Sequence, residues 1–184
     1  MSDKLLVLLV GGRGVGKSTI ANKLPYPQNV GYTDREPRKG EVNGKDYFFL
    51  TKAEMDEMFK RDDLVMPTVR KDARYTKVAH RFDGISISIV DPEGVYWFNE
   101  HKIEGVKILT VFLDVPREIK IERCISRGDN PDNIVSLLDA EENQMNEFIR
   151  SYMYDYFIVN RNSDMSVKII NHIVDEYKNR LEEN

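Results

Sequence analysis

The chain has 184 residues, 41% hydrophobic and 32% charged, which suits one domain with a sizeable core plus appendages and excludes a disordered or fibrous class. Its net charge of −4 argues against non-specific nucleic-acid binding, and no apolar run approaches the ~18 residues of a membrane span. A single cysteine, Cys124, excludes an internal disulfide and suits a reducing cytoplasm, the expected location.

Met1-Ser2-Asp3-Lys4 is followed by six apolar residues, 5–10, and then by a glycine-rich loop. A signal peptide would have to destroy that loop, so none is expected. The apolar run reads as a parallel strand buried on both faces. The loop, Gly11-Gly12-Arg13-Gly14-Val15-Gly16-Lys17-Ser18-Thr19, fits G-x-x-x-x-G-K-[ST]. Its glycines admit positive φ, successive N–H groups form an anion nest, and the helix behind points its positive end at the same place. Lys17 would meet the β- and γ-phosphates of ATP, and the Ser18 hydroxyl is a natural Mg²⁺ ligand. Residues 20–24 form the helix, which Pro25 and Pro27 stop.

Residues 26–31 read as a linker. Asn43-Gly44 signals a hairpin turn and residues 47–50 a strand. Thr51-Lys52-Ala53-Glu54 is a capping box ahead of a short helix whose apolar stripe is Met55, Met58 and Phe59, a core feature. Residues 64–81 are extended and basic, with Arg70, Lys71, Arg74, Lys77 and Arg81. Two readings stand for them: a solvated edge strand whose charges deter aggregation, or a face turned to substrate. Residues 31–81 hold twelve Lys/Arg against ten Asp/Glu, a net of +2, while the remainder carries −6, so an anionic small molecule would be drawn to the middle segment.

Residues 85–91 read as a strand ending in Asp91, which in a phosphate-loop fold would sit beside the Mg²⁺. Residues 94–101 read as a helix and 106–113 as another buried strand. Pro116 opens a helix running to about Ser126, in which Cys124, beside Ile121 and Ile125, is expected to be a buried structural thiol. Arg127-Gly128-Asp129-Asn130 breaks it, and Asn130-Pro131 caps a longer helix carrying Ile134, Leu138, Met145 and Ile149 at helical spacing. Residues 156–159 read as a strand, and Val167, Ile170, Val174, Tyr177 and Leu181 mark an amphipathic terminal helix. The expected class is α/β, a mostly parallel sheet of phosphate-loop NTPase type flanked by helices, with 31–81 inserted and antiparallel.

At this point the chain resembles the guanylate kinase family. The resemblance rests on the phosphate loop, on Thr33-x-Arg35-x-Pro37-Arg38-x-Gly40-Glu41-x-x-Gly44-x-Asp46-Tyr47-x-Phe49, on Tyr75, on Asp91-x-x-Gly94, on Arg127-Gly128, and on Tyr154-Asp155-Tyr156-x-Ile158-Val159-Asn160. It implies a phosphate-loop core over 1–30, 82–126 and 141–184, a nucleoside monophosphate (NMP) subdomain over 31–81, and a helical lid over 127–140. Arg35, Arg38, Tyr47 and Tyr75 would then hold the monophosphate, since arginine forks grip phosphate oxygens bidentately. Arg127, with Arg123 a turn earlier as helper, would reach the transferring phosphoryl as the lid closes. Asp91 would support the metal or the acceptor nucleoside.

Four positions depart from the family. Gly31 replaces a small hydroxyl residue, Lys77 falls where a serine near the acceptor is usual, and Leu138 stands where a lid arginine is expected. Met66 falls on the base-reading glutamate in an ungapped alignment, and a shift of a few residues would bring Asp62 or Asp63 there instead. A carboxylate accepting guanine's N–H groups is what makes such a site read guanine. The phosphate grip is therefore intact and the base readout altered. The expected activity is transfer of the ATP γ-phosphoryl to GMP, dGMP or a related NMP, with Mg²⁺. Two alternatives stay open: a binding module without activity, and a phosphate-loop kinase for another base or a non-nucleotide acceptor. The expected partners are small nucleotides, with no nucleic acid and no membrane, and the oligomeric state is left open.

Overall fold

The computed structural model describes residues 4–38, 40–70, 72–78, 82 and 84–182. Lys71 and Arg81 of the basic stretch lie outside the described residues, as do the side chains of Arg70 and Leu181.

Strand β1 (Lys4–Val10) runs down the middle of a parallel sheet. It pairs on one side with β6 (Ile85–Ile89) and on the other with β7 (Val106–Asp114), beyond which lies β8 (Tyr156–Val159). Leu5, Val7 and Leu9 pack with Ile20 of α1 (Lys17–Lys23) and with Ile170 and Val174 of α6 (Ser163–Glu182). Leu6, Leu8 and Val10 pack the other way, with Val95 and Phe98 of α3 (Pro92–Glu100) and Phe148 of α5 (Pro131–Ser151). Both faces are covered, so six consecutive apolar residues are used, each burial contributing ~1.5–3 kcal/mol. The expected α/β class, with a parallel sheet flanked by helices, is the one observed.

The inserted segment forms a second sheet of β2 (Tyr32–Thr33), β3 (Phe48–Phe49), β4 (Leu64–Arg70) and β5 (Ala73–Val78), in the order β3-β2-β5-β4. It is not wholly antiparallel, because β2 pairs parallel with β3. Asn43-Gly44 therefore does not join two hairpin strands. Gly44 takes φ 79° and its N–H donates to the Tyr47 carbonyl at 2.7 Å, while the Asn43 side chain accepts from the Phe49 N–H at 2.9 Å. The turn closes on itself, and only two residues of the expected strand remain to pair. The capping box on α2 (Lys52–Met58) forms as the sequence predicts, with Met55 fully buried behind it.

Two helix starts differ from expectation. Helix α3 begins at Pro92 because Asp91 caps it, accepting from the Gly94 N–H at 3.0 Å. Pro116 stands at the N-cap of α4 (Arg117–Ser126) rather than inside it. Helix α5 runs unbroken across residue 140, from the segment read as lid into the core. Its Ile134 and Leu138 pack on Cys124, whose thiol is raised above its ordinary pKa by burial. Leu138 is thus an apolar anchor between α4 and α5, a place unsuited to a charged arginine.

Candidate active site

The loop between β1 and α1 is shaped by what touches it. A Cβ at Gly11 would strike the Leu113 carbonyl, and one at Gly14 would lie 2.7 Å from the Lys120 carbonyl, so β7 and α4 approach the loop backbone directly. Val15 turns inward and its side chain is fully buried. Its carbonyl accepts from Asn160 Nδ2 at 2.8 Å, and Asn160 is itself held by Ser166. Arg123 donates to the carbonyls of Val15, Asn160 and Arg161 at 3.3, 2.8 and 3.4 Å. The arginine read as a helper thus lies beneath the loop, tying it to the end of β8.

Lys17 Nζ donates to the carbonyls of Gly11 and Gly12 at 2.6 and 2.8 Å. Burial lowers its pKa from 10.5 to about 8, against the opposing pull of Glu141 and Asp91. Glu141, on α5, accepts from the Arg13 backbone N–H at 3.0 Å and from Arg13 Nη2 at 3.1 Å. Ser18 and Thr19 are exposed in the first turn of α1.

A cleft of about 2180 Å³ runs from this loop to the second sheet. Every residue expected from the sequence to bind a substrate, nucleotide or metal or to catalyse lines it except Val15. On the second-sheet side, Arg35 forms a two-pronged pair with Glu41, Nη1 to Oε2 at 3.0 Å and Nη2 to Oε1 at 2.9 Å. Its guanidinium lies 5.7 Å from the ring centres of Tyr47 and Phe49, and Tyr47 meets Tyr75 edge-on at 5.9 Å. The Glu41 bond holds Arg35 more firmly protonated, and although burial pushes the Glu41 carboxyl up, the Arg35 bonds hold it below its ordinary value. The Arg38 backbone N–H donates to the same carboxylate at 2.6 Å while its side chain lies at the cleft. Arg127, at the C-cap of α4, pairs with Asp129 and also lines the cleft.

Met66, and not Asp62 or Asp63, reaches the cleft; Asp63 instead pairs with Arg61. Met66 sits at a bulge of β4 with φ 54°, an uncommon conformation for a side chain of this size, and a Cβ at Gly94 would collide with its Cε. Lys77 Nζ donates to the Asn29 carbonyl at 2.7 Å, and burial lowers its pKa from 10.5 to about 8. Of the basic stretch, Lys77 faces the cleft. Arg74 turns to Asp34 and Asp56, bracing β5 against α2. A Cβ at Gly31 would lie 3.1 Å from the Thr76 carbonyl, so this floor is shaped by backbone.

Sequence reasoning missed three side chains. Glu41 stood inside the Thr33–Phe49 run and Asn160 inside the Tyr154–Asn160 run, so the pattern marked both without their roles. Glu141 had no local signal, being one acid among several on a helix 128 residues from Arg13.

The guanylate kinase family model matches residues 3–177. The chain is 28% identical to the guanylate kinase of Wolbachia sp. subsp. Brugia malayi, covering 95% of this chain and 94% of that protein. It is 29% identical to the guanylate kinase of Wolbachia pipientis wMel, covering 95% and 91%. The crystal structure of guanylate kinase from Anaplasma phagocytophilum shares the fold, with a TM-score of 0.70 at 23% identity over 96% of this chain and 87% of that one.

Proposed function

We propose, from the premise that this chain belongs to the guanylate kinase family and is an ATP-dependent nucleoside monophosphate kinase, that GMP or dGMP is its acceptor and that the cleft residues divide into donor and acceptor grips. The observation that carries this reading is that Lys17 and Arg35 line one cleft, one on the main-chain anion nest and the other in the second sheet.

The loop amides of residues 11–19 and Lys17 bind the ATP phosphates. Arg35 and Arg38, with the hydroxyls of Tyr47 and Tyr75, hold the monophosphate. The acceptor phosphate takes Glu41's place on Arg35, a charge-assisted exchange of one anion for another. Arg127 leaves Asp129 for the transferring phosphoryl, and Arg123 positions the loop from below. Positioning and charge neutralisation suffice for phosphoryl transfer, which needs no covalent help from the protein.

The donor set suits Mg²⁺. Ser18 and Asp91 offer hard oxygens to the same cleft, and no group of three or more His, Cys, Asp or Glu side chains that could hold a metal occurs among the described residues. Such an ion, carried in on the phosphates and completed by one or two protein oxygens, would neutralise charge on the β- and γ-phosphates.

A specific observation favours a second reading of the base. Met66, which the resemblance sets at the base-reading glutamate, brings a thioether to the cleft in place of a carboxylate, so a guanine N–H left unpaired there would cost ~1–3 kcal/mol. A coupled ADP-release assay over all ribo- and deoxyribo-NMPs decides between them. Turnover greatest with GMP or dGMP supports the first reading, turnover greatest with another base supports the second, and no turnover with any NMP removes the acceptor assignment.

No helix among the described residues is long and apolar enough to cross a membrane.

A further inference from the structure

Arg13 is the one long cationic side chain of the phosphate loop besides Lys17, and the loop pattern asks nothing of its position. Its surroundings are nonetheless specific. The Glu141 carboxylate takes both its backbone N–H and its Nη2, so a single anion sits on an amide of the nest and on a guanidinium together. A carboxylate already occupies the kind of position that a phosphate oxygen takes in such a loop. The Arg13 Nε is buried and has no hydrogen-bond partner among the described residues, so this donor of the fork is left for a ligand. The pair is only partly shielded, with side chains 32% and 30% exposed, and ion pairs so placed are weak enough to exchange.

Position selects the phosphate. Lys17, which serves the β- and γ-phosphates, folds back over Gly11 and Gly12, the limb of the loop that leads into Arg13. Ser18 and Thr19 stand at the other limb, on α1. Arg13 is therefore on the terminal-phosphate side, and Glu141 and Arg13 both act electrostatically on Lys17.

We propose that Arg13 is a catalytic residue of the donor site: its guanidinium leaves Glu141 and binds the γ-phosphate of ATP, an arginine supplied by the phosphate loop itself. Glu141 is the positioning residue that holds the guanidinium at the loop until a phosphate replaces its carboxylate. In the transfer step an acceptor phosphate oxygen bonds the γ-phosphorus as the bond from that phosphorus to the β–γ bridging oxygen breaks. The electron pair stays on ADP, the products are ADP and the acceptor's diphosphate, and total charge is unchanged. Arg13 neutralises the equatorial oxygens during this step. The inference rests on the nucleotide reading of the loop and not on the identity of the acceptor base.

Calorimetric titration of the full chain with Mg·ATP and Mg·ADP, for the parent, Arg13→Ala, Arg13→Lys and Glu141→Gln, tests it. Arg13→Ala should weaken ATP binding about tenfold or more while leaving ADP within about twofold, the loss of one charge-assisted contact to the terminal phosphate alone. Arg13→Lys should recover part of the ATP affinity. Glu141→Gln should bind ATP at least as tightly as the parent, since no carboxylate competes with the phosphate. If Arg13→Ala loses ATP and ADP affinity by equal factors, or neither, the guanidinium does not meet the γ-phosphate and the proposal is overturned. Equal losses accompanied by a lowered melting temperature in Glu141→Gln make the pair a brace only, which also overturns it. With an NMP that the parent turns over, Arg13→Ala should lower kcat by about 10²-fold or more, the scale on which arginines serve phosphoryl transfer. Absence of NMP turnover in the parent would sink the acceptor assignment while the ATP-against-ADP ratio still judged Arg13.

Discussion

Lys17 and Arg35 face one cleft but are held in different ways. The loop around Lys17 is clamped by backbone: β7 and α4 press on Gly11 and Gly14, and Val15 is locked by Asn160 and Arg123. Its strand, β1, is buried on both faces by four helices. Arg35 follows β2 in a sheet whose β2 and β3 are two residues each, with Val65 and Val78 fully buried on its strands and Met55 on α2, and its place is set by an ion pair and ring contacts. On the proposed reading, the donor side is a rigid platform and the acceptor side a lighter body, joined to the core through Val65 and Met66 and with its own arginine set by polar links that can re-form. A kinase that must bring two phosphates together and exclude water gains from that asymmetry, because one body can move against a fixed one.

The largest break in this comparison is at the platform. Lys17→Ala should lower kcat by about 10²–10³-fold, the cost of removing one preorganised charge from the transferring group. Single-turnover kinetics with saturating ATP measures it, and a kcat near the parent's would place the chemistry elsewhere. Next comes the acceptor grip. Arg35→Ala should raise KM for the monophosphate by about 10–100-fold with a smaller effect on KM for ATP, the loss of a charge-assisted hydrogen bond. Equal changes in both constants would mean that the two halves of the cleft are not separate grips.

A third experiment concerns what ties the lighter body together. The Asp34 side chain is 3% exposed, and although desolvation pushes its carboxyl up, hydrogen bonds from the Arg74 backbone and side chain hold it below the ordinary 3.8. A depressed carboxyl lends stability above its unfolded value, and that stability is lost as pH falls through the folded value. Asp34→Asn should therefore cost ~1–3 kcal/mol in urea unfolding at pH 7, with the difference from the parent shrinking below pH 4. A cost independent of pH would assign the effect to shape and not to charge.

An effect of similar size, confined to alkaline pH, is expected at Lys77. Burial depresses its pKa from 10.5 to about 8, so the folded state releases this proton before the unfolded chain does. Stability should rise as pH goes from 8 to 10.5, and Lys17, with a like shift, contributes in the same window. Lys77→Met should remove a share on the order of 1–3 kcal/mol of that rise, read from denaturant midpoints at the two ends of the window. An unchanged slope would mean that Lys77 reaches water in solution.

The phosphate loop was legible because each of its parts is local: a continuous apolar strand, glycines where backbone must approach an anion, and a helix directly behind. The capping box at Thr51 was legible for the same reason. Asn43-Gly44 misled because turn chemistry is local but pairing is not; β3 went to β2, and the turn satisfied its own backbone groups. Asp91 read as the last residue of a strand, but β6 ends at Ile89 and Asp91 caps α3, a use that its neighbour Pro92 could have signalled. The basic stretch divided, Lys77 to the cleft and Arg74 to Asp34, which no charge count could foresee.

Sequence alone determined the class of fold, the family pattern and the phosphate loop, because periodicity, glycine placement and capping act within a few residues. Tertiary structure alone decided which cations face the cleft and which groups hold them. Arg13 with Glu141 and Lys77 with Asn29 are pairs joined across 128 and 48 residues, and chain separation carries no information about which side chains a packed core brings within hydrogen-bond reach.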